Sequence, residues 1–380
     1  MELGSVTVYA WAMRDSSCPR RRWNCALSCL ILLFPTALFA AQPSAPSIQF
    51  LGRDDARKAI LDESKDPYFS RLQPMEMAAK TGSPVPGATL EQQREESRKR
   101  YVQAIDEFSP AEKDALQWYV SEIVAATAPY PLFARTPWNF IKISPGIEGG
   151  NPFTRGQAIV LPSARLAEMV TQKQRAAMHI EGFDWRWLAL AEFGDVLIHE
   201  QTHVVQRQHP EAFARLYTEY WGYKHAAKID PDPWLTEHQM LDPDGTDQNW
   251  VFPIQDAGGT RWIWPLMVIE DAEDLAGPSF KNARQIAVEL ELAGDDAFRV
   301  KTAQNGRLVM RGLMNEVGFV SRLSPSRSPY HPNEAAADLF ARIIIAENLP
   351  GHPPDEAKDA IEKARLRFKP LQEWFAKILK

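Results

Sequence analysis

The sequence predicts an α+β fold in which helices predominate and the β-sheet is small. Three observations point there. Apolar residues recur at helical spacing over most of the chain, as Leu116, Tyr119, Val120 and Ile123 do within residues 114–126. Short β-rich runs are local, at residues 140–143 and 158–161, and Gly146, Gly149, Gly150 and Gly156 separate them. No internal period or long low-complexity tract suggests a solenoid or a disordered tail. With 380 residues, 45% of them hydrophobic, the chain can bury one large core or two ordinary ones.

Residues 1–41 read as a secretory signal. Arg20-Arg21-Arg22 precedes an apolar run from Cys25 to Ala41, which ends in small residues around Ala40 and Ala41. Pro35 and the short length weigh against a membrane anchor. Cys18, Cys25 and Cys29 are the chain's three cysteines and all lie in this segment, so the processed chain has no disulfide and no thiolate chemistry. The predicted location is secreted or periplasmic, with no membrane insertion after signal cleavage. The net charge of −6, with no basic block beyond the signal, argues against nucleic acid as a partner.

Residues 42–130 read as a helical extension, including a highly charged helix at 90–108. Residues 131–350 form the body, which begins with the two β-rich runs, read as a hairpin with a long loop. Ser163 caps a helix to about Lys173, and a long apolar helix follows over 184–208. His209-Pro210 breaks it, and Pro210 opens a helix through Trp221. A large insertion spans about 222–330. It is predicted to hold an ordered loop at 229–260, a strand at 262–269 and a helix at roughly 281–293. Helices at 332–347 and 355–379 complete the chain, with residues 351–380 set apart as a C-terminal helix.

The chemistry concentrates in His199-Glu200-Gln201-Thr202-His203. On a helix His199 and His203 stand at i and i+4, one above the other, and can grip one ion together. Glu200 lies about 100° round the same turn, where its carboxylate reaches a water on that ion. Zn2+ suits two neutral imidazoles with an open position for water. The flanking Leu197, Ile198, Val204 and Val205 bury the motif, and a charged Glu200 in such surroundings needs a reason.

Three residues compete to be the third ligand. Glu334 begins a helical segment in which Asp338 follows at i+4, so Glu334 can bind metal while Asp338 orients a ligand imidazole. Alternatively Pro332 starts that helix, His331 caps it, and Glu334 only completes the cap. His209 has the spacing of a longer His-Glu-x-x-His-x-x-Gly-x-x-His pattern, but Gln206 stands where that pattern needs glycine. His331 is close enough to Glu334 to matter, as a cap or a substrate-side donor.

His199-Glu200-x-x-His203 followed by Asn333-Glu334-x-x-x-Asp338 resembles the gluzincins, the thermolysin-like zinc metallopeptidases. The resemblance implies a zincin-like catalytic domain with Zn2+ held by His199, His203 and Glu334. It implies Glu200 as general base and Asp338 as hydrogen-bond partner of a zinc histidine, His199 in the first place. About 130 residues separate the two motifs here, whereas the family usually places them close together. The resemblance therefore covers two helices and the strands before them. Residues 331–340 also resemble a poorly characterised group of bacterial HExxH proteins, from which no activity carries over.

The predicted function is hydrolysis of peptide bonds by metal-activated water, with a peptide or protein substrate. The alternatives are a zinc hydrolase of another amide or ester, and a zinc-stabilised binding protein without turnover. Residues 158–161 offer a candidate edge for pairing an extended peptide. Tyr220, Tyr223, Tyr330 and His331 are candidate oxyanion donors. The acids of residues 242–247 read as a turn, because they lack calcium-loop positions.

Overall fold

The computed structural model describes residues 46–178, 184–245, 247–269, 283–323, 326–349 and 353–380. The signal-like segment 1–41 lies outside them. Among the described residues no helix is long and apolar enough to cross a membrane.

The chain is α+β with helices in the majority, as predicted, but in place of one small sheet it has two, of five and eight strands. A first sheet gathers β1 (Ile48–Phe50), β2 (Ile105–Asp106), β3 (Trp138–Ile143), β4 (Phe153–Arg155) and β5 (Ala158–Pro162) in the order β1-β3-β5-β4, with β2 also on β3. The predicted hairpin is corrected here. Strands β3 and β5 run parallel, and the hairpin is instead β4–β5, turning at Gly156 with φ 57°. Both central strands are buried at nearly every position because both faces are covered. Phe140, Ile159 and Leu161 enter one core, while Ile141, Ile143 and Val160 enter another.

The N-terminal helices α1 (Arg53–Ile60), α2 (Tyr68–Arg71), α3 (Pro74–Thr81) and α4 (Leu90–Gln103) cover the second core. They frame a buried polar knot in which Lys80 meets Glu76 and Glu148, and the Tyr68 and Tyr101 hydroxyls donate to Glu148. Helix α5 (Pro110–Thr127) starts on a capping box between Ser109 and Glu112, and α6 (Pro131–Arg135) leads into β3.

Helix α7 (Ser163–Ala176) starts one residue earlier than a Ser163 cap requires: Pro162 holds the cap position. The run α8 (Trp185–Ala189), a π-helical turn over Leu190–Gly194 and α9 (Asp195–Gln208) forms the predicted long helix, opened by Asp184 accepting from the Trp187 amide. It stops at His209 before Pro210, which opens α10 (Pro210–Arg215).

The insertion departs most from expectation. It holds an eight-stranded sheet of β6 (Lys224–His225), β7 (Lys228–Asp230), β8 (Gln239–Met240), β9 (Trp250–Asp256), β10 (Gly259–Ile269), β11 (Ala283–Leu292), β12 (Ala297–Val300) and β13 (Met310–Gly312). Helix α11 (Pro233–His238) precedes β8 and α12 (Val317–Leu323) follows β13. The predicted loop thus carries a helix, the whole of β8 and β9 and parts of β7 and β10, and the predicted helix at 281–293 is β11 where it is described. Ile286, Val288 and Leu290 alternate into one core and Ala287 faces another, a period of two.

Helix α13 (Pro332–Asn348) then crosses α9, and α14 (Asp355–Ile378) packs on α13. Ala335 and Ala336 lie fully buried in the shared core, and small side chains allow the close approach.

Candidate metal centre

Helix α9 brings His199 and His203 to one face, and the first turn of α13 sets Glu334 against both. The His199 Nε2 and His203 Nε2 atoms are 3.0 Å apart. Glu334 places Oε1 3.0 Å from His203 Nε2 and Oε2 3.4 Å from His199 Nε2. These three residues form a cluster with metal-ligand spacing. His203 and Glu334 are buried, and His199 keeps a partly exposed side chain.

The hydrogen bonds around the cluster define its chemistry. Gln206 donates its amide hydrogens to the Asn333 carbonyl at 3.0 Å and the Tyr217 hydroxyl at 3.2 Å. Its Oε1 is left to accept from His203 Nδ1 at 2.7 Å, so Nε2 of that ring is a bare lone pair. That lone pair faces the Glu334 Oε1 atom, which is buried without a hydrogen-bond partner. Lone pairs converging in a buried site need a proton or a metal cation between them. Separations of 3.0–3.4 Å match a tetrahedral set with bonds of about 2.0–2.1 Å to Zn2+. The donor set therefore fits zinc.

Glu200 is buried beside the cluster. Thr154 of β4 donates its hydroxyl to Glu200 Oε2 at 3.0 Å, which fixes the carboxylate's orientation. Neither Thr154 nor Gln206 stands out in the sequence; each becomes visible only once the strand and the helix are assembled.

Asp338 takes a different partner from the one the family resemblance implies. Its Oδ2 accepts from the Arg327 amide at 2.8 Å, and its Oδ1 accepts from Arg327 Nε at 2.9 Å and faces Arg342 Nε at 3.4 Å. Arg327 in turn reaches Asp195. Antiparallel crossing explains this: one turn beyond Glu334 on α13 lies level with one turn before His199 on α9. The orienting role at the centre falls to Gln206, on the other histidine.

His209 ends α9 with its ring beside Glu211, outside the cluster. His331 caps α13, accepting from the Asn333 amide through Nδ1 and donating from Nε2 to the Asp247 carbonyl. Both of its nitrogens are thereby committed. Of the candidate donors Tyr220, Tyr223 and Tyr330, it is Tyr330 that is bonded at the centre, donating to Asp242 Oδ2 at 2.7 Å. Tyr223 packs against Phe252 and Phe319 instead. The edge of the first sheet beside Glu200 is β4; residues 158–161 lie inside the sheet as β5.

The acids read as a turn meet at this centre. Asp242 and Asp244 are buried, and each sets an oxygen within 4.8 Å of the other and of Glu334. Burial and then the charge of Asp242 push Glu334 up to about 8, and burial pushes Glu200 up to about 7. Asp244 is pushed well up by burial and by Glu200. Burial also opposes the charge of Asp242, but His203 and the Tyr330 hydroxyl hold it down to about 2. Burial holds the His203 imidazole below its ordinary range.

A pH dependence follows. Between pH 6.5 and 8 the metal-free folded chain holds protons on Glu334 and Asp244 that the unfolded chain has lost, so stability falls as pH rises. Below 6.5 the depressed His203 acts in the opposite sense, and Asp242 titrates far outside the window. Thermal melting of the chelated protein is expected to show Tm falling across this window, with Zn2+ restoring it by replacing protons. A flat or rising Tm contradicts the electrostatics. Independently, Gln206→Leu is expected to weaken zinc binding about 10–100-fold, read by competition with a chromophoric chelator, while the fold persists. Unchanged affinity would remove Gln206 from the centre.

No known protein family, no curated protein and no solved structure matches this chain.

Proposed function

We propose that the chain is a zinc-dependent hydrolase of gluzincin type, exported to the periplasm or secreted, that cleaves peptide bonds with Glu200 as general base. The observation that carries this reading is the convergence of His199 Nε2, His203 Nε2 and the unpartnered Glu334 Oε1, with the carboxylate of Glu200 held beside them by Thr154. His199, His203 and Glu334 hold the ion. When bound, Zn2+ lowers the pKa of a water and polarises the scissile carbonyl. Glu200 takes the water's proton and returns it to the leaving amine. Thr154 keeps that carboxylate in one rotamer, and Gln206 keeps the His203 lone pair directed at the ion. Burial excludes bulk water and strengthens each of these contacts. The signal-like segment at 1–41 supports export.

The choice of a peptide rests on the gluzincin resemblance: β4, the edge strand beside the general base, is fully buried at Phe153, Thr154 and Arg155 and offers no open edge to an extended backbone. One observation favours a second substrate class: Asp244 already accepts the Thr154 amide on that edge. A short amide or ester that needs no strand pairing fits that arrangement better. The experiment is hydrolysis of a quenched peptide library and a panel of simple amides and esters by the zinc-loaded chain, with chelated protein as control. Zinc-dependent cleavage of peptides supports the first class and of the small panel alone the second. No turnover of either overturns the hydrolase reading.

A further inference from the structure

The three residues that would hold zinc come from two helices far apart in the chain, and hydrogen bonds join those helices through a residue outside the ligand set. Gln206 of α9 directs His203 by accepting from its Nδ1 at 2.7 Å. A carboxamide turned over would aim a donor at that nitrogen instead. Two acceptors prevent this: the Asn333 carbonyl, 3.0 Å from Gln206 Nε2, and the Tyr217 hydroxyl, 3.2 Å from it. Tyr217 in turn donates to Asn333 Oδ1 at 2.9 Å. Its proton is thus spent on Asn333, and its oxygen is left to accept from Gln206.

Asn333 immediately precedes Glu334 in the first turn of α13. The Glu334 Oε1 atom has no hydrogen-bond partner, so the aim of that carboxylate depends on the backbone that carries it and on what flanks it. One flank is the turn of residues 241–244, held by a clasp on Leu241: Glu76 accepts from its amide at 2.6 Å, and Lys80 donates to its carbonyl at 2.7 Å. Residue 333 is fastened by Tyr217 and Gln206. Tyr217 is itself firmly seated. It is 3% exposed, its ring is stacked on Trp221 at 5.9 Å, and Trp250 of β9 meets it edge-on at 5.2 Å. It lies in a π-helical turn over Leu216–Trp221, ended by Gly222 at φ 84°. Such turns are rare and are frequent at functional sites. This one sets a hydroxyl against Asn333, 116 positions away in the chain.

We propose that Tyr217 is a positioning residue of the metal centre. Its hydroxyl locks the Gln206 amide in the one orientation that keeps the His203 Nε2 lone pair free, and it ties the residue before Glu334 to the same point. It touches neither the ion nor the substrate and acts through Gln206 and Asn333. Without the hydroxyl, one buried Gln206 N–H has no acceptor, and turning the amide to relieve it would spoil the bond to His203. The inference rests on His199, His203 and Glu334 being the zinc ligands.

The test compares the full chain with Tyr217→Phe, Gln206→Leu and the double variant. Zinc affinity is read by competition with a chromophoric chelator, and the melting curve of each chelated protein checks the fold. Phenylalanine keeps both ring contacts and removes only the hydroxyl. Tyr217→Phe is expected to weaken zinc binding about tenfold, the lower end of the range for an outer partner. In the Gln206→Leu background the same substitution is expected to cost no more than about twofold, because the residue it acts through is gone. A residue that only supports the fold would lower Tm and leave zinc affinity unchanged. If Tyr217→Phe does not fold, Asn333→Ala supplies the test, since it removes the hydroxyl's acceptor and keeps the backbone carbonyl that Gln206 uses. The same loss, dependent on Gln206, is expected. Unchanged zinc affinity, or a loss undiminished in Gln206→Leu, overturns the role of Tyr217 and leaves the zinc site standing. A parent chain that binds no zinc overturns both.

Discussion

Glu200→Gln is expected to retain one zinc per chain and to lose hydrolytic activity by roughly 10²–10⁴-fold, the contribution of a positioned general base. The substitution is nearly isosteric. The amide oxygen still accepts the Thr154 hydroxyl bond that now holds Oε2, so neither β4 nor α9 has cause to move. What disappears is the proton acceptor. An amide cannot take a proton from water, whatever else is in place. The loss should therefore fall on kcat, while metal content and melting temperature stay near those of the parent chain. Full activity in Glu200→Gln would sink the mechanism. Loss of zinc together with activity would move Glu200 from the base to the ligand set.

Glu334→Ala is expected to weaken zinc binding by more than about 100-fold, beyond the cost of losing an outer partner such as Gln206. Glu334 joins the two ends of the centre. It is the residue that brings α13 to the histidines of α9, and both of its oxygens face an imidazole nitrogen. Alanine leaves His199 and His203 as two ligands on one helix, with an open side that water fills. His209→Ala is the matched control, and its zinc content should not change, because His209 lies at the helix end beside Glu211. Zinc lost from His209→Ala and kept in Glu334→Ala would end the gluzincin assignment. Metal analysis of the purified variants reads both.

The parts of the centre legible in the sequence are those in which spacing along one helix implies geometry. His199, Glu200 and His203 are separated by one and four positions, and a helix converts those intervals into a shared face. The pairing of Glu334 with that face follows from a second helix with acids as its only chemistry. Asp338 shows where such reasoning stops: the interval to Glu334 is right, but the crossing of α13 over α9 carries Asp338 past His199 to Arg327. Thr154, Gln206, Asp242 and Asp244 owe their positions to tertiary contacts and leave no local pattern. The same limit applies to the sheets. The segment around Ala287 has residues that suit either element, and only burial on alternating faces decides for a strand. Residues 140–143 and 158–161 pair in parallel because a core lies on each side of them, which a reading of short-range turn signals cannot register.

The clasp on Leu241 bears on how the molecule is built. Glu76 and Lys80 reach it across 165 and 161 positions of the chain. Closures of that span come late in folding, after helices and hairpins have formed from neighbours in sequence. Helix α9 can therefore exist, with its histidines aligned, in a chain whose acid-bearing segment is still unplaced. The acid-bearing turn that flanks Glu334 is then the last part of the proposed centre to be placed, and the N-terminal helices govern its placement although none of their residues belongs to the proposed zinc ligands.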